Sequence, residues 1–253
     1  MTKSCTKILF ILLVFCCHLS VAQQAPKTVN EHSQAWFAYF NQTRLSNKWG
    51  LWLDVHARRI DFLDRWNTLI FRPGLTYYLN DHVRLTAGYA YVAHYLPSSI
   101  APVRPEHRPW QQVLWTSRSK KLQTLQWVRL EERFNRKIAS TTNELLDDYA
   151  FNFRVRYQIL LTVPLKGDFV EKGTPFLTIA DEIHINAGKQ ITYNYFDQNR
   201  FSVGLGYQFS KTMNAQLTYM NLFQQLPAGN QFNNNHVLRL FFFHNLDLRS
   251  KNE

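Results

Sequence analysis

The sequence predicts an all-β fold, an antiparallel transmembrane β-barrel of about 10 to 12 strands with short turns on one rim and longer loops on the other. Three observations support this prediction. Apolar and polar residues alternate with a period of two along most of the chain. Many of these runs reach ten residues or more, longer than strands usually are in soluble proteins. Tight connections also alternate with longer ones between the runs.

The N-terminal segment predicts a secretory signal over residues 1–22. Lys3 and Lys7 precede or border the apolar run Ile8–Cys17, which is too short to cross a bilayer. Small residues of the kind that signal peptidases cleave follow the run. We therefore expect export across a membrane and a mature barrel domain over residues 23–253. No linker rich in Pro or Ser divides this domain.

Cysteine content and charge exclude several classes of protein. All three cysteines fall inside the leader, so the mature chain has neither a disulfide nor a thiolate metal site. The whole chain has 29 Lys and Arg against 18 Asp and Glu, a formal net charge of +11. Such a surplus suits nucleic acid, anionic lipid or an anionic solute. Export argues against nucleic acid, and we expect no cofactor and no metal.

Eleven alternating runs follow one another along the mature chain. In the clearest run, 150–161, Phe153 and Val155 alternate with Arg154 and Arg156, and helical spacing fits the run poorly. The candidate strands cover about residues 33–43, 49–58, 67–79, 83–95, 106–118, 122–135, 150–161, 174–187, 201–209, 213–224 and 236–248.

The odd number of runs conflicts with the even strand numbers of bacterial single-chain barrels. Either the first run, 33–43, lies outside the barrel and ten strands remain, or a further strand brings the number to twelve. Pro73 in the third run is unusual in the middle of a sheet, and Gly74 beside it predicts a bulge or bend. The connection at 164–173 is also longer than a tight turn.

The charged residues decide which strand face points inward. Every lysine of the mature chain lies in a turn, in a loop or at a strand end, whereas the strand interiors carry arginine. An enclosed polar interior favours arginine, whose planar group pairs with carboxylates in a fixed geometry. Each basic residue that faced lipid near the bilayer midplane would cost roughly 2–4 kcal/mol. We therefore expect an apolar outer face, with interfacial aromatic residues at Trp49, Tyr77, Tyr95, Trp115 and Tyr219.

The side chains predicted to face the lumen contain more bases than acids. Two states of this interior follow from the sequence. Arginine–carboxylate pairs fill the lumen and stiffen the wall, or they line a narrow, porin-like pore that favours anions. The predicted lumen residues are Asp54, His56, Arg58, Arg72, Arg84, Arg129, Glu131, Arg133, Arg154, Arg156, Glu182, His184, Arg200 and Arg239.

An enzyme is an alternative, although the sequence favours a structural or transport role without catalysis. Asp54 with His56 and Glu182 with His184 each project to one strand face, about 7 Å apart along the strand. Such pairs serve as acid and base in a barrel-embedded hydrolase of lipid or peptide. No serine motif accompanies either pair. We therefore expect no catalytic residue.

A soluble secreted barrel of the lipocalin kind is the third alternative. It would also alternate, but with its apolar face inward and its polar face in water.

The GLGY stretch at 204–207 is not a phosphate loop, because it lacks the following helix and the lysine–serine pair. Its glycines are expected to make room for a bulky neighbour such as arginine.

Several stretches together resemble one known family. They are RPGLTYYL with GYAY (72–91), PEHRPWQQ (105–112), RLEERF (129–134), FRVRYQI with PL (153–165), DEIHIN (181–186), DQNRFSVGLGYQF (197–209) and YMNLF (219–223). Across nearly all of the mature chain, the sequence resembles the uncharacterised domain-of-unknown-function 2490 family of Gram-negative outer-membrane proteins. The resemblance implies an outer-membrane barrel without an assigned activity, and it supplies no catalytic residues.

The implied location brings its own expectations. We expect outer-membrane lipid and the barrel-assembly machinery as partners, with a small solute as a further candidate. The C-terminus departs from the pattern of such barrels, which generally end on an aromatic residue. Here the chain continues past the phenylalanines at 241–243 to Glu253.

Overall fold

The computed structural model describes residues 26–96 and 103–249, and the predicted leader at 1–22 lies outside them. The described chain is all β, as predicted. Its strands are β1 (Thr28–Arg44), β2 (Trp49–Ile60), β3 (Arg65–Tyr78), β4 (Val83–Tyr95), β5 (Val103–Ser119), β6 (Leu122–Ile138), β7 (Leu145–Pro164), β8 (Pro175–Ala187), β9 (Phe196–Gln208), β10 (Met213–Gln225) and β11 (Gln231–Asp247). In this part of the chain, no helix has the length and apolar character needed to cross a membrane.

The strands close into one barrel in sequence order. Consecutive strands pair antiparallel, whereas β1 and β11 pair parallel, in an unbroken register from Thr28 opposite Gln231 to Arg44 opposite Asp247. With an odd number of strands of alternating direction, the first and the last strand run in the same direction. The barrel can therefore close only through a parallel pairing of these two strands. The predicted choice between ten and twelve strands is therefore wrong. The run 33–43 belongs to the wall as part of β1, and eleven strands complete it.

Connections alternate between two rims. The turn rim carries 45–48, 79–82, 120–121, 165–174 and 209–212. The loop rim carries 61–64, 139–144, 188–195 and 226–230, and Tyr95 of β4 pairs with Val103 of β5 at the same rim. The long connection foreseen at 164–173 is thus an exception on the turn rim. Because the strand number is odd, β1 begins at the loop rim and β11 ends at the turn rim.

Pro73 interrupts the ladder between β3 and β4 without shifting its register. Phe71 pairs with Tyr91, and pairing resumes with Gly74 opposite Gly88. Proline has no N–H to donate, so rungs of the ladder are missing beside it. A bulge, one of the two predicted features, is therefore wrong at this position, since the strands keep their alignment. The bend stays a prediction.

Strand alternation separates an apolar outer face from a polar inner face. On β7, Phe153 and Val155 are 39% and 42% exposed, whereas Arg154 and Arg156 are 5% and 7% exposed. This orientation is the reverse of the lipocalin-like alternative. Two apolar clusters share the interior with the charged groups. They consist of Trp52, Ile70, Ala90, Val92 and Trp110, and of Trp36, Met220, Leu222 and Val237.

Candidate functional site

The structure places the predicted lumen residues on the inner face of the barrel. Nine of them are buried: Asp54, His56, Arg72, Arg129, Glu131, Arg154, Arg156, Glu182 and His184. The others are partly buried: Arg58, Arg84, Arg133, Arg200 and Arg239. Together with residues that sequence reasoning missed, they form an arginine–carboxylate network in the lumen.

Glu131 is the centre of this network. It lies on β6, is 0% exposed, and receives hydrogen bonds from Arg154 at 2.6 and 2.9 Å and from Arg156 at 2.6 Å. Arg108 and Arg72 approach it to 3.6 and 3.9 Å. One carboxylate thus faces four guanidinium groups from β3, β5 and β7. Charge-assisted contacts of this kind fix the strands relative to one another across the interior.

Glu106 organises a second set of contacts on the side of the loop rim. This carboxylate is 0% exposed and lies 2.7 Å from Arg108 and 2.8 Å from Arg133. His94 lies 2.8 Å from its other oxygen. Arg108 therefore links Glu106 to Glu131, and the two sets of contacts are continuous.

Glu182 and Asp197 extend the network to β8 and β9. Arg156 forms an ion pair with Glu182, and His184 lies 2.8 Å from the same carboxylate. Asp197 accepts a hydrogen bond from Arg154 at 2.9 Å. The β8–β9 register shifts between His184 and Ile185, and this irregularity turns Asp197 inward beside Gln198. A bulge re-aims a side chain in this way.

Asp54 connects the network to β2. Its carboxylate lies 2.7 Å from the Nε2 atom of His56 and accepts hydrogen bonds from Arg72 at 3.0 Å and from the indole N–H of Trp52 at 2.5 Å. The carboxylate of Asp54 thus contacts an imidazole, a guanidinium group and an indole N–H inside the barrel.

The arginines outnumber the carboxylates in the interior. Five of them have no carboxylate within 4.0 Å in the part of the chain that the structure describes: Arg58, Arg84, Arg104, Arg129 and Arg239. Uncharged groups hold two of these. Arg129 donates to Gln112 at 2.9 Å and lies 4.4 Å from the ring centre of Trp110, and Arg239 donates to Thr218 at 2.9 Å.

Sequence reasoning missed several members of the network. Glu106, Arg108 and Gln112 alternate along β5 with the same period as the residues that were predicted, so their parity could have revealed them. Asp197 could not be found this way. The irregularity in β9 breaks the period just where this side chain turns inward.

A comparison with protein families gives one match. The family model described as "Protein of unknown function (DUF2490)" matches residues 33–233. The chain belongs to the DUF2490 family. The match begins in β1 and ends in β11, so it includes the predicted lumen residues except Arg239. No match was found among curated proteins or among solved structures.

The two acid–histidine pairs of this DUF2490 protein lie inside the charge network. His184 is 0% exposed and His56 is 5% exposed. Among residues 26–96 and 103–249, no hydrogen bond joins a serine or threonine hydroxyl to either histidine. Each histidine has a carboxylate as a neighbour, and His56 also lies 3.4 Å from Arg72. Within the same ranges, no group of three or more His, Cys, Asp and Glu side chains could hold a metal ion.

Proposed function

We propose that this protein is an outer-membrane β-barrel of a Gram-negative bacterium, exported by its leader, with a lumen closed by its own side chains and a structural role. The apolar outer face supports membrane embedding, since water would meet large exposed hydrophobic patches. Aromatic pairs occur near both rims, Trp49 with Tyr77 at 5.0 Å and Trp66 with Tyr95 at 5.8 Å. Such belts suit the two membrane interfaces. Outer-membrane lipid and the barrel-assembly machinery are its partners, and we propose no catalysis, cofactor or nucleic acid.

The burial of side chains from opposite walls supports a closed lumen. A water-filled pore would leave the side chains around it in contact with water. Trp110 and Glu131 on one side of the barrel and Met220 and Val237 on the other are each 0% exposed. Rings add to the seal, because Trp52 and Trp110 lie 6.0 Å apart, edge to face. A filled cross-section suits a structural barrel, whereas a permanently open pore needs a water-filled passage.

Planar-bilayer recording tests the closed lumen. We expect the folded wild-type protein to give no steady channel conductance at moderate voltage, while its folding is verified by its mobility on unheated gels. The variant Trp52→Ala/Trp110→Ala removes two rings of the seal and is expected to conduct. Steady wild-type conductance would overturn the closed lumen. A folded, monodisperse state in water without detergent would overturn the membrane proposal itself.

Passage of small anions after a rearrangement of the lumen is a second candidate function. The excess of arginine over carboxylate supports it, since a positive interior favours anions. If openings occur at high voltage or in the double tryptophan variant, we expect their reversal potential in a potassium chloride gradient to lie near the chloride equilibrium potential. Cation-selective or unselective openings would contradict this second function.

A further inference from the structure

The interior of the barrel contains more positive charge than its own acids neutralise. Five carboxylates share it: Asp54, Glu106, Glu131, Glu182 and Asp197. Eleven arginines share it with them: Arg58, Arg72, Arg84, Arg104, Arg108, Arg129, Arg133, Arg154, Arg156, Arg200 and Arg239. Uncompensated charge in an enclosed space is costly unless an ion of opposite sign enters it.

Arg58 is one of the arginines that have no carboxylate within 4.0 Å among the described residues. Its guanidinium group lies 3.6 Å from the ring centre of Trp36, and its Nε atom is buried without a hydrogen-bond partner among the described residues. The strongest charge interactions of Arg58 are all repulsions from other arginines: Arg200, Arg72, Arg108 and Arg156. A partly buried cation whose main charged neighbours are cations is an unusual arrangement, because the like charges repel one another in the enclosed interior.

Arg72 and Arg200 also act on Arg58 through their charge. The Nη1 atom of Arg72 is buried with no hydrogen-bond partner in the described chain, and its closest approach to a carboxylate is 3.9 Å, to Glu131. Arg200 lies 5.3 Å from the same Trp36 ring, and its Nε atom donates a hydrogen bond to Gln198 at 3.0 Å. Its closest approach to a carboxylate is 3.6 Å, to Glu182. Strands β2 and β9 thus bring two guanidinium groups to the Trp36 ring of β1, and Arg72 of β3 adds a third positive charge that acts on Arg58.

We propose that a small oxyanion, of the phosphate or sulfate class, binds in the lumen among Arg58, Arg72 and Arg200 beside Trp36. Planar guanidinium groups match the oxygens of tetrahedral oxyanions, and several of them around one anion give selectivity over chloride. This proposal assigns a ligand to the closed lumen, so it rests on the proposed function. Its binding needs neither a membrane nor conductance, so the two proposals fail separately.

Titration of the full folded protein in non-ionic detergent micelles tests the site. Inorganic phosphate is added at constant ionic strength against potassium chloride, and binding is followed by calorimetry and by tryptophan fluorescence. We expect saturable phosphate binding with a change in fluorescence, because Trp36 contacts the site. Absence of saturable binding beyond the chloride baseline overturns the proposal, whatever the bilayer recordings give.

Variants locate the site. Arg58→Gln breaks no ion pair, so it is expected to fold and to weaken phosphate binding at least tenfold. Arg84→Gln is the matched control, because Arg84 also has an unpartnered Nε atom and no nearby carboxylate, but its strongest repulsion comes from Arg44. We expect its affinity to stay within twofold of wild type. An equal loss in both variants would mean a diffuse counterion effect and would overturn the site.

A competition experiment distinguishes free phosphate from a lipid headgroup as the ligand. Short-chain phosphatidic acid carries the same headgroup on two acyl chains, and the closed lumen should exclude it. We expect it not to displace inorganic phosphate. Displacement at equal concentration would place the site at the lipid-facing surface and overturn its location. If Arg58→Gln fails to fold, the wild-type titration and this competition still decide the proposal.

Discussion

At the scale of single residues, Glu131 has the most demanding environment in the barrel. Four arginines surround it and water does not reach it. Its neighbour Glu132 points outward, where it accepts a hydrogen bond from Gln111 at 3.5 Å. Two adjacent glutamates of one strand therefore have opposite surroundings, which allows a controlled comparison.

We expect Glu131→Gln to destabilise the barrel by roughly 3–5 kcal/mol, because buried guanidinium groups lose the charge that compensates them. Glu132→Gln should change stability by no more than about 1 kcal/mol. Urea unfolding in lipid vesicles, followed by tryptophan fluorescence, measures both. Equal effects of the two substitutions would show that the network contributes no more than the outer face.

The same pair of residues shows what sequence can predict at this scale. Alternation correctly assigned Glu131 to the inside, because an intact strand turns every second side chain to the same face. It could not show that Glu131 is the centre of the network. That role depends on arginines from β3, β5 and β7, and their proximity is set by strand register around the barrel.

At the scale of strands, the glycines of β9 show how neighbouring strands pack. A Cβ atom on Gly206 would collide with the ring of Phe176, which lies on β8 and is 2% exposed. The predicted bulky neighbour is therefore a phenylalanine and not an arginine at this position. Gly204 is equally confined, since a Cβ atom there would meet the backbone of Leu217 and Thr218.

Gly206→Ala is expected to destabilise the barrel by about 1–3 kcal/mol, because the buried ring of Phe176 must move to admit the methyl group. Phe176→Leu in the same chain should recover part of this loss by making room. A double-mutant cycle measured by urea unfolding gives the coupling between the two positions. Additive effects would contradict the packing of Phe176 against Gly206.

The strands themselves were largely predictable, and their ends were not. All eleven alternating runs correspond to strands, because one face is apolar and the other polar in each. The first run was predicted at 33–43, but β1 extends from Thr28 to Arg44. Both faces near its start carry polar residues such as Asn30, Glu31 and Ser33, so the alternation disappears while the pairing with β11 continues.

At the scale of the whole molecule, the odd number of strands places the two ends of the barrel wall at opposite rims. The rule of even strand numbers misled the prediction because it assumes that both ends lie at the same rim. Here the parallel pairing of β1 with β11 places the start of β1 at the loop rim and the end of β11 at the turn rim. No local pattern in the sequence reveals a contact between segments so far apart.

Epitope tags placed before Thr28 and after Glu253 test this arrangement in cells. If the barrel spans the outer membrane, an antibody should label one of the two tags on intact cells, and the other only after permeabilisation. The closed lumen prevents either end from passing through the barrel to the opposite side. Labelling of both tags on intact cells, or of neither, would contradict an eleven-stranded wall.

The parallel seam also determines the order in which the wall is completed. Every other pairing joins strands that are adjacent in sequence and are held by a connection of ten residues or fewer. The seam brings together residues 28–44 and 231–247, so its loop-closure entropy is the largest, and we expect it to form last. Until then β1 and β11 are free edges, each 17 residues long, able to template pairing with other chains. Aggregation of the unfinished sheet should therefore begin at these two strands.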